Sequence, residues 1–411
     1  MSAAASQSAN LPELGIPPSP HTVDVSIINT GATIRGIPTR LFVAPQIKGH
    51  DWLALPVFSF LVQHPGLNRS VLFDLGIRKD WENLSPALLS HLHTLGWTLH
   101  VDKDVRGILD EGAVDSNSIE AVIWSHYHFD HVGNPNTFGP NTSLIVGPGF
   151  KEKLLPGYPA NPSSTMLESD YAHRELIELN FDTGTSGSHT YKPLPIGRLR
   201  ALDYFNDGSF YLIDAPGHSI GHICGLARVT STPPSFILLA ADAFHHAGEI
   251  RPSRHLPLPS DIKPDPFVPD PHPLDYHYGC PGTIFEPLFT GRGRSADSTF
   301  YAPARLGNKE GSLHYHNDVD EMLRTMEKLQ EIDAQENVLS AAAHDESLLG
   351  VLEFFPRGKL NGFVEHGTIR RVKWRFLKDF AMSVGKEGHE LGKKREWSAE
   401  EEGTGDKGGG S

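Results

Sequence analysis

The stretch Ser125-His-Tyr-His-Phe-Asp-His131 decides the fold of this 411-residue chain, and it follows directly on the apolar run Ala121-Val-Ile-Trp124. A short apolar run that ends in polar residues predicts a buried strand. In an extended chain, positions i and i+2 face the same way. We therefore expect His126 and His128 to point towards one spot just beyond the strand.

The end of the same stretch completes a group of metal-ligand side chains. If the chain turns into a helix at Phe129–Val132, Asp130 and His131 swing to the other side of that spot. Four ligand-type residues within six positions exceed what even a chain with 23 histidines offers by chance. Imidazole with carboxylate suits zinc, and mixed nitrogen and oxygen ligands also admit manganese or iron. The alternative is a polar strand end with solvated histidines.

Three more ligand candidates follow three other apolar runs. His218 comes after a Pro-Gly turn, Asp242 ends Leu238-Leu-Ala-Ala-Asp242, and His344 follows the run that begins at Val338. Each lies just past a predicted buried strand, where rigid scaffolds present functional loops. Two metal ions need about this inventory, namely five histidines, one terminal carboxylate and one bridging carboxylate.

The order His-x-His-x-Asp-His, Pro-Gly-His, strand-Asp, strand-His resembles the metallo-β-lactamase superfamily over roughly residues 23–380. The resemblance implies an α/β fold, a four-layer αβ/βα sandwich, here with a proline-rich insertion. It implies two Zn²⁺ per chain, with manganese or iron as possible replacements. In this family's pattern one metal is held by His126, His128 and His218, the second by Asp130, His131 and His344, and Asp242 bridges them.

The same resemblance implies supporting roles for two further residues. Asp74, in Phe-Asp-Leu-Gly, matches the family's early Asp-x-Gly turn, which usually supports the site without binding metal. His222 follows His218 by four residues and matches a family histidine that is structural. We expect neither Asp74 nor His222 to be a ligand.

Within the superfamily the pattern is most similar to the N-acyl-homoserine-lactone lactonases. That branch usually has a tyrosine three residues after the bridging aspartate, and this chain has His245 there. His245 either donates a hydrogen bond to the substrate carbonyl or is a polar loop residue. Asp130 is expected to orient the nucleophile and to pass a proton to the leaving group. The predicted catalytic residues are therefore Asp130 and His245.

The predicted reaction is the opening of a cyclic ester or cyclic amide, a lactone or lactam, by a metal-bridged hydroxide. One alternative is hydrolysis of a linear acyl thioester, and another is a non-haem metal oxidoreductase. The complete ligand set favours hydrolysis, because diiron members usually replace a histidine by a carboxylate and dioxygenase members use a single metal. The sequence leaves open which lactone, lactam or thioester is the substrate.

Composition narrows the class of protein. The chain is 38% hydrophobic and 21% charged, and its net charge of −14 makes a nucleic-acid partner improbable. Two cysteines exclude a disulfide scaffold. No apolar run reaches about 18 residues, and the start has no signal-peptide pattern. We expect a cytoplasmic enzyme with a small-molecule substrate and no membrane partner, either a monomer or a dimer.

The chain divides into a flexible arm at residues 1–20, a catalytic domain at 21–382 and a disordered tail at 383–411. Within the domain, residues 249–303 carry eleven prolines and several aromatics and form a loop insertion. It is predicted to be a surface insertion packed by its own aromatics or a cap over the pocket, two interpretations that are compatible, and we expect pocket walls from it and from residues 147–172. Five histidines in or beside it are predicted to be surface or turn residues: His255, His272, His277, His314 and His316.

Two amphipathic segments predict helices, at Pro86–Leu95 and at Asp318–Ile332, the second with Asn317 as its cap. Apart from these helices, strands dominate the pattern. They are predicted at Thr22–Ile28, Pro56–Val62, Ser70–Asp74, Ala121–Trp124, Ser143–Val146, Phe210–Asp214, Ile223–Val229, Ser235–Ala240 and Val338–Ala342.

Overall fold

The structure is a computed structural model that describes residues 11–268, 279–295, 297–305 and 315–386. Its strands, in chain order, are β1 Asp24–Pro38, β2 Val43–Ala44, β3 Trp52–His64, β4 Arg69–Phe73, β5 Thr98–His100, β6 Ile119–Ile123, β7 Ser143–Val146, β8 Leu176–Glu178, β9 Thr185–Ser186, β10 His189–Thr190, β11 Lys192–Ile196, β12 Leu199–Asp203, β13 Phe210–Asp214, β14 Ile223–Ser231, β15 Pro234–Ala241, β16 Asp261–Ile262, β17 Cys280–Pro281, β18 Ala302–Pro303 and β19 Val338–Ala342. The α-helices are α1 Pro86–Leu95, α2 Val105–Glu111, α3 Phe129–Val132, α4 Phe150–Leu154, α5 Pro287–Thr290, α6 Val319–Asp333 and α7 Thr368–Val372.

Two large mixed sheets carry the fold. The first has seven strands in the order β5-β1-β3-β4-β6-β7-β8, with β3 and β4 forming an antiparallel hairpin. Its β4, β6, β7 and β8 run parallel, so their carboxyl ends share one edge. The second sheet has six strands in the order β11-β12-β13-β14-β15-β19, and only its last pair is parallel.

The two sheets pack face to face, and helices cover their outer faces. A continuous core joins side chains of the first sheet, such as Phe58 and Phe60, to side chains of the second, such as Leu212 and Ile237. On the outer face of the second sheet α6 contributes Met322, and on that of the first sheet α2 contributes residues such as Ile108. This confirms the expected four-layer αβ/βα arrangement.

The two predicted helices form because their ends are capped. Helix α1 has the predicted bounds, since Ser85 accepts a hydrogen bond from the Leu88 N–H and Gly96 takes the left-handed conformation that ends it. Helix α6 begins one residue later than expected. Its cap is Asp318, whose carboxylate accepts from the Glu321 N–H at 2.9 Å, so the prediction of Asn317 as the cap is wrong.

The arm predicted at residues 1–20 is described from residue 11 onwards, and that part lies against the body of the protein. Leu14 and Ile16 pack on the core that lies under α6. The Gly197 N–H donates to the Leu14 carbonyl at 2.7 Å, and Arg228 donates to the Pro17 carbonyl at 2.6 Å. Apolar contacts and backbone hydrogen bonds therefore hold this half of the arm, although it contains no helix or strand. Residues 1–10 and 387–411 lie outside the described residues.

The described part of the 249–303 insertion is packed by its own aromatics. Phe285, Phe289 and Phe300 are buried in a core that also includes Phe380 from the end of the domain, and the Phe300 and Phe380 rings lie 4.8 Å apart. This is the first of the two alternatives for the insertion. Within the described residues, no helix is both long enough and apolar enough to cross a membrane.

Candidate metal centre

The stretch after β6 folds as its sequence predicts. His128 is still extended and caps α3, a single helical turn at the predicted residues Phe129–Val132. That turn carries Asp130 and His131 to the far side of His126, and all of these side chains are buried or nearly so. The change from strand to helix places these neighbouring ligand candidates in two separate groups.

The first group brings His218, from the turn after β13, to the two histidines after β6. The Nε2 atom of His218 lies 3.2 Å from Nε2 of His126 and 3.1 Å from Nδ1 of His128. Oδ2 of Asp242, at the end of β15, is 3.8 Å from the His126 nitrogen and 3.6 Å from that of His218. Three imidazole nitrogens and one carboxylate oxygen therefore converge.

The second group consists of Asp130, His131 and His344. Nε2 of His344 lies 3.4 Å from Oδ2 of Asp130, and Nε2 of His131 lies 4.0 Å from the same oxygen. The other oxygen of Asp242, Oδ1, faces this group, at 3.1 Å from His131 and 3.2 Å from His344. The structure thus brings all seven predicted ligands together, and Asp242 stands between the two groups.

The donor set fits metal ions. Oδ1 of Asp242 and Nε2 of His131 are both buried, and despite their short separation neither atom has a hydrogen-bond partner. Burial alone would lower the pKa of His131, but the carboxylates of Asp242, Asp74 and Asp130 raise it well above its ordinary value. Burial likewise opposes a charge on His344, yet Asp242 and Asp130 raise its pKa to about 10. These closely spaced buried carboxylates favour a positive charge among them, and a bound metal ion would supply one.

Two rings of the second group are held from behind by their second nitrogen. Nδ1 of His131 lies 2.8 Å from Oδ2 of Asp74, and Nδ1 of His344 lies 2.7 Å from the Pro56 carbonyl oxygen. The Ser125 N–H and hydroxyl both donate to the Asp74 carboxylate at 2.7 Å. Asp74 therefore supports the site from behind, as expected, and its φ of 61° shows the tight turn that aims it there.

His222 lies beside the site but has both ring nitrogens engaged elsewhere. Its Nδ1 lies 2.9 Å from the Ala215 carbonyl oxygen, and its Nε2 accepts from the Asp242 N–H at 3.2 Å. The first contact fixes the proton on Nδ1, and the second uses the lone pair of Nε2. This agrees with the structural role expected for His222, which leaves no nitrogen for a metal.

His245 and His246 point in opposite directions. Nε2 of His245 lies 3.2 Å from Oδ2 of Asp242, and its Nδ1 is buried without a hydrogen-bond partner. His246 instead accepts from the Gly248 N–H through Nδ1 and places Nε2 3.1 Å from the Asp379 carboxylate. His245 therefore belongs to the metal centre, and His246 belongs to the wall behind it.

His316 is the site residue that sequence reasoning missed. It was predicted to be a surface or turn residue; it does lie in the turn before α6, but it is not on the surface, because its side chain is buried against His218 and His245. No ligand spacing marks it; the turn before α6 brings it to the site. By contrast His255 is half-buried beside Arg254, and His272, His277 and His314 lie outside the described residues.

A cavity that is partly open to solvent adjoins both ligand groups. Its floor holds His128, Asp130 and Asp242, and its walls are mostly apolar. The described side chains that complete the lining are Ile34, Ile37, Phe42, Leu55, Leu88, His91, Leu92, Leu95, Trp97, Tyr127, Phe129, Thr165, His245, Tyr315 and His344. The prediction that the walls come from residues 147–172 and 249–303 is therefore wrong in the main. Only Thr165 of 147–172 and no described residue of 249–303 line the cavity, because side chains of β1, β3 and α1 occupy its walls.

Comparison with known proteins adds to this geometry. A sequence profile described as the metallo-beta-lactamase superfamily matches residues 52–284. Gamma-lactamase FDB1 of Fusarium pseudograminearum is 39% identical over 373 residues, 90% of this chain and 85% of that protein. Metallo-hydrolase mfmC of Annulohypoxylon moriforme is 40% identical over 373 residues, 90% of each chain. N-acyl homoserine lactonase AttM of Rhizobium johnstonii is 27% identical over 201 residues, 48% of this chain and 68% of that protein.

Proposed function

The chain belongs to the metallo-β-lactamase superfamily, as its motifs predicted, and we propose that it is a binuclear zinc hydrolase that opens a lactone or lactam of a small molecule. Relatives named as a gamma-lactamase and as an N-acyl homoserine lactonase support a cyclic amide or ester as the substrate class. The observation that carries the proposal is the position of Asp242 between two ligand groups at the floor of an apolar cavity.

Seven side chains would hold the two ions in this proposal. His126, His128 and His218 form one set, Asp130, His131 and His344 form the other, and the Asp242 carboxylate serves both. When bound, the ions supply Lewis acidity and lower the pKa of a water molecule towards neutrality. Zinc is favoured by the five imidazoles, while the two carboxylates also admit manganese or iron.

Asp130 is assigned the proton transfer. Burial raises the pKa of its carboxyl, but protonated His131 and His344 more than offset this and hold the pKa below its ordinary value. Bound cations, to which both imidazoles would present neutral nitrogens, would lower this pKa in the same direction. Asp130 is therefore anionic at neutral pH, and it lines the cavity where a substrate would lie. It can orient the attacking water, accept its proton and deliver that proton to the leaving oxygen or nitrogen.

His245 is assigned the hydrogen bond to the substrate carbonyl. Its ring packs against Phe42 at 4.7 Å and lines the cavity next to Asp242. Its Nε2 faces Oδ2 of Asp242 at 3.2 Å, so an N–H there would be shared with a substrate carbonyl that approaches the same spot. In the lactonase-like pattern this position holds a tyrosine, and an imidazole N–H can take the place of the phenol as a donor. A donor aimed at the developing oxyanion lowers the barrier more than it stabilises the bound substrate.

The cavity favours a compact, uncharged substrate over a charged thioester. None of the described side chains that line it is a lysine or arginine. A thioester carried by a phosphopantetheine arm or by glutathione brings negative charge, which such walls would leave unpaired. The full set of seven ligands likewise supports hydrolysis over the oxidoreductase alternative.

The cellular setting is also part of the proposal. Both cysteines, Cys224 and Cys280, are free and buried, in keeping with a reducing compartment such as the cytoplasm. The net charge of −14 argues against a nucleic-acid partner.

A panel assay tests the function. Zinc-loaded protein would be given a γ-lactone, a γ-lactam and a linear thioester of matched acyl group, and the product masses would be measured, with Asp130→Asn as the inactive control. With the parent protein we expect the mass of the lactone or lactam to rise by that of one water molecule. With Asp130→Asn we expect the mass to stay unchanged. Cleavage of the thioester alone, or consumption without uptake of water, would overturn the proposal.

A further inference from the structure

His316 stands directly behind His218, one of the proposed ligands. Its Nδ1 lies 3.4 Å from Nδ1 of His218, and its Nε2 lies 3.0 Å from the carbonyl oxygen of Phe42. A carbonyl oxygen only accepts hydrogen bonds, so Nε2 of His316 must carry a proton. A neutral imidazole has one N–H, which leaves Nδ1 of His316 as an acceptor.

The acceptor nitrogen of His316 also determines which nitrogen of His218 carries its proton. Its Nδ1 faces an acceptor, so Nδ1 carries the proton and Nε2 keeps its lone pair. That Nε2 is the atom that lies 3.2 Å from His126 and 3.1 Å from His128, where the ligand nitrogens converge. The Phe42 carbonyl, through the ring of His316, thus determines which nitrogen His218 presents to the other ligands.

Three of the other ligand rings show what this contact replaces. Nδ1 of His131 faces the Asp74 carboxylate, Nδ1 of His344 faces the Pro56 carbonyl, and Nδ1 of His126 lies 3.0 Å from the Ser125 hydroxyl. Metal-bound histidines almost always donate their second N–H to such an acceptor. For His218 the acceptor is a histidine nitrogen, which works only while His316 holds its own proton on Nε2.

Backbone hydrogen bonds fix the two rings relative to each other. The Asn317 N–H donates to the His218 carbonyl and the Asp318 N–H donates to the Gly217 carbonyl, both at 2.8 Å. Gly217 has a φ of 124°, and a Cβ there would lie 2.1 Å from the Met322 nitrogen. The turn that carries His218 is therefore pressed against the start of α6, beside His316.

We propose that His316 is a positioning residue that accepts the Nδ1–H of His218 and so fixes the ring nitrogen that His218 offers to the metal. This rests on the proposed role of His218 as a ligand. It assigns a part in the metal centre to the segment before α6, which lies beyond the matched family region at 52–284. Loss of such an outer partner typically costs about 10–100-fold in metal affinity.

The test is the zinc affinity of the purified full-length protein, measured by competition with a chromophoric chelator. His316→Phe keeps a ring of similar size but has no acceptor, and we expect about 10–100-fold weaker binding. His316→Asn places an amide oxygen near the position of Nδ1, and we expect it to recover most of the affinity. His255→Ala removes a half-buried histidine outside the site and should bind zinc like the parent.

The outcomes separate the possibilities. Parent-like affinity in His316→Phe, or affinity in His316→Asn as weak as in His316→Phe, would overturn the inference, because packing alone would then explain the residue. If the parent bound three zinc ions and the variants bound only two, the inference would also be overturned, since His316 would then be a ligand. His218→Ala serves as the reference: if it leaves zinc content unchanged, the proposed metal site itself fails. Thermal unfolding of the metal-free variants confirms that each is folded before its affinity is compared.

Discussion

Oδ1 of Asp242 lies 3.1 Å from Nε2 of His131, while Oδ2 of the same carboxylate faces the histidines of the other ligand group. Asp242 directly follows β15, and the residue before it, Ala241, has a left-handed φ of 46°. This turn at the strand end lets one side chain reach both groups.

Removal of Asp242 should therefore affect both ions, whereas removal of His344 should affect one. We expect Asp242→Ala to lose most of the metal of both sites and His344→Ala to retain about one ion per chain, because its loss leaves the His126, His128 and His218 set complete. Elemental analysis after loading and desalting measures this. Equal metal content in the two variants would contradict the bridging role, and a parent with one ion would contradict the binuclear assignment.

Asp130→Asn should keep the fold and lose most of the activity. The amide has the same shape but can neither accept a proton nor carry the charge that faces His131 and His344. We expect turnover to fall by about 10²–10⁴-fold, the range for loss of a general acid or base. Steady-state kinetics on the substrate found in the panel assay measures this. Activity within a few-fold of the parent would show that Asp130 has no chemical part.

His245→Ala and His246→Ala should separate a donor from a structural residue. We expect His245→Ala to lower turnover by about 10²-fold without loss of metal, as for removal of one oxyanion donor. A fall in metal content instead would show that His245 is a ligand. His246→Ala should leave turnover nearly unchanged and lower the melting temperature, because it leaves the buried Asp379 without its histidine partner.

Asp74→Asn should weaken metal binding from outside the ligand set. The amide retains one acceptor for the Ser125 N–H but cannot also accept from the hydroxyl and from Nδ1 of His131. We expect zinc affinity to fall by about 10–100-fold while the far-ultraviolet circular dichroism is unchanged. The matched control is Asp24→Asn, a surface carboxylate paired with Lys359, which should bind zinc normally.

Asp170 should make stability depend on pH. Burial raises the pKa of its carboxyl to about 7, although Arg78 and Arg174 partly oppose this, so the fold favours the protonated form. Its contribution to stability is present below the unfolded-state pKa of about 3.9 and is lost as pH rises through about 7. Asp170→Asn should therefore flatten the fall in unfolding free energy between pH 5 and pH 8. Urea titrations measure this, and parallel curves for the two proteins would contradict it.

Sequence patterns located the strands best where they are short and buried. The bounds of β7, β13 and β19 are as predicted, because these buried strands are continuous apolar runs. Strand β1 runs on to Pro38, ten residues past its predicted end at Ile28, because register shifts after Asn29 interrupt the alternation on which the prediction rests. The edge strand β5 has three residues, too few to show a period.

The ligands were predictable because each follows an apolar strand within a few residues. His316 and the cavity walls were not, because tertiary packing alone brings them to the site. Phe42 reaches His245 from the loop after β1, and Tyr315 reaches Phe42 from the turn before α6, at a ring distance of 4.9 Å. Nothing in the local sequence of these residues distinguishes them from other aromatics in loops.

The proposed ligands come from both large sheets, since His126 follows a strand of the first sheet whereas Asp242 and His344 follow strands of the second. Bound ions would thus fasten the two halves of the sandwich to each other at one edge. By mass action, each tenfold rise in free metal above its dissociation constant adds about 1.4 kcal/mol per ion to the unfolding free energy. If the proposed ions are bound, the lifetime of this protein against unfolding and proteolysis depends on the metal supply of the cell that makes it.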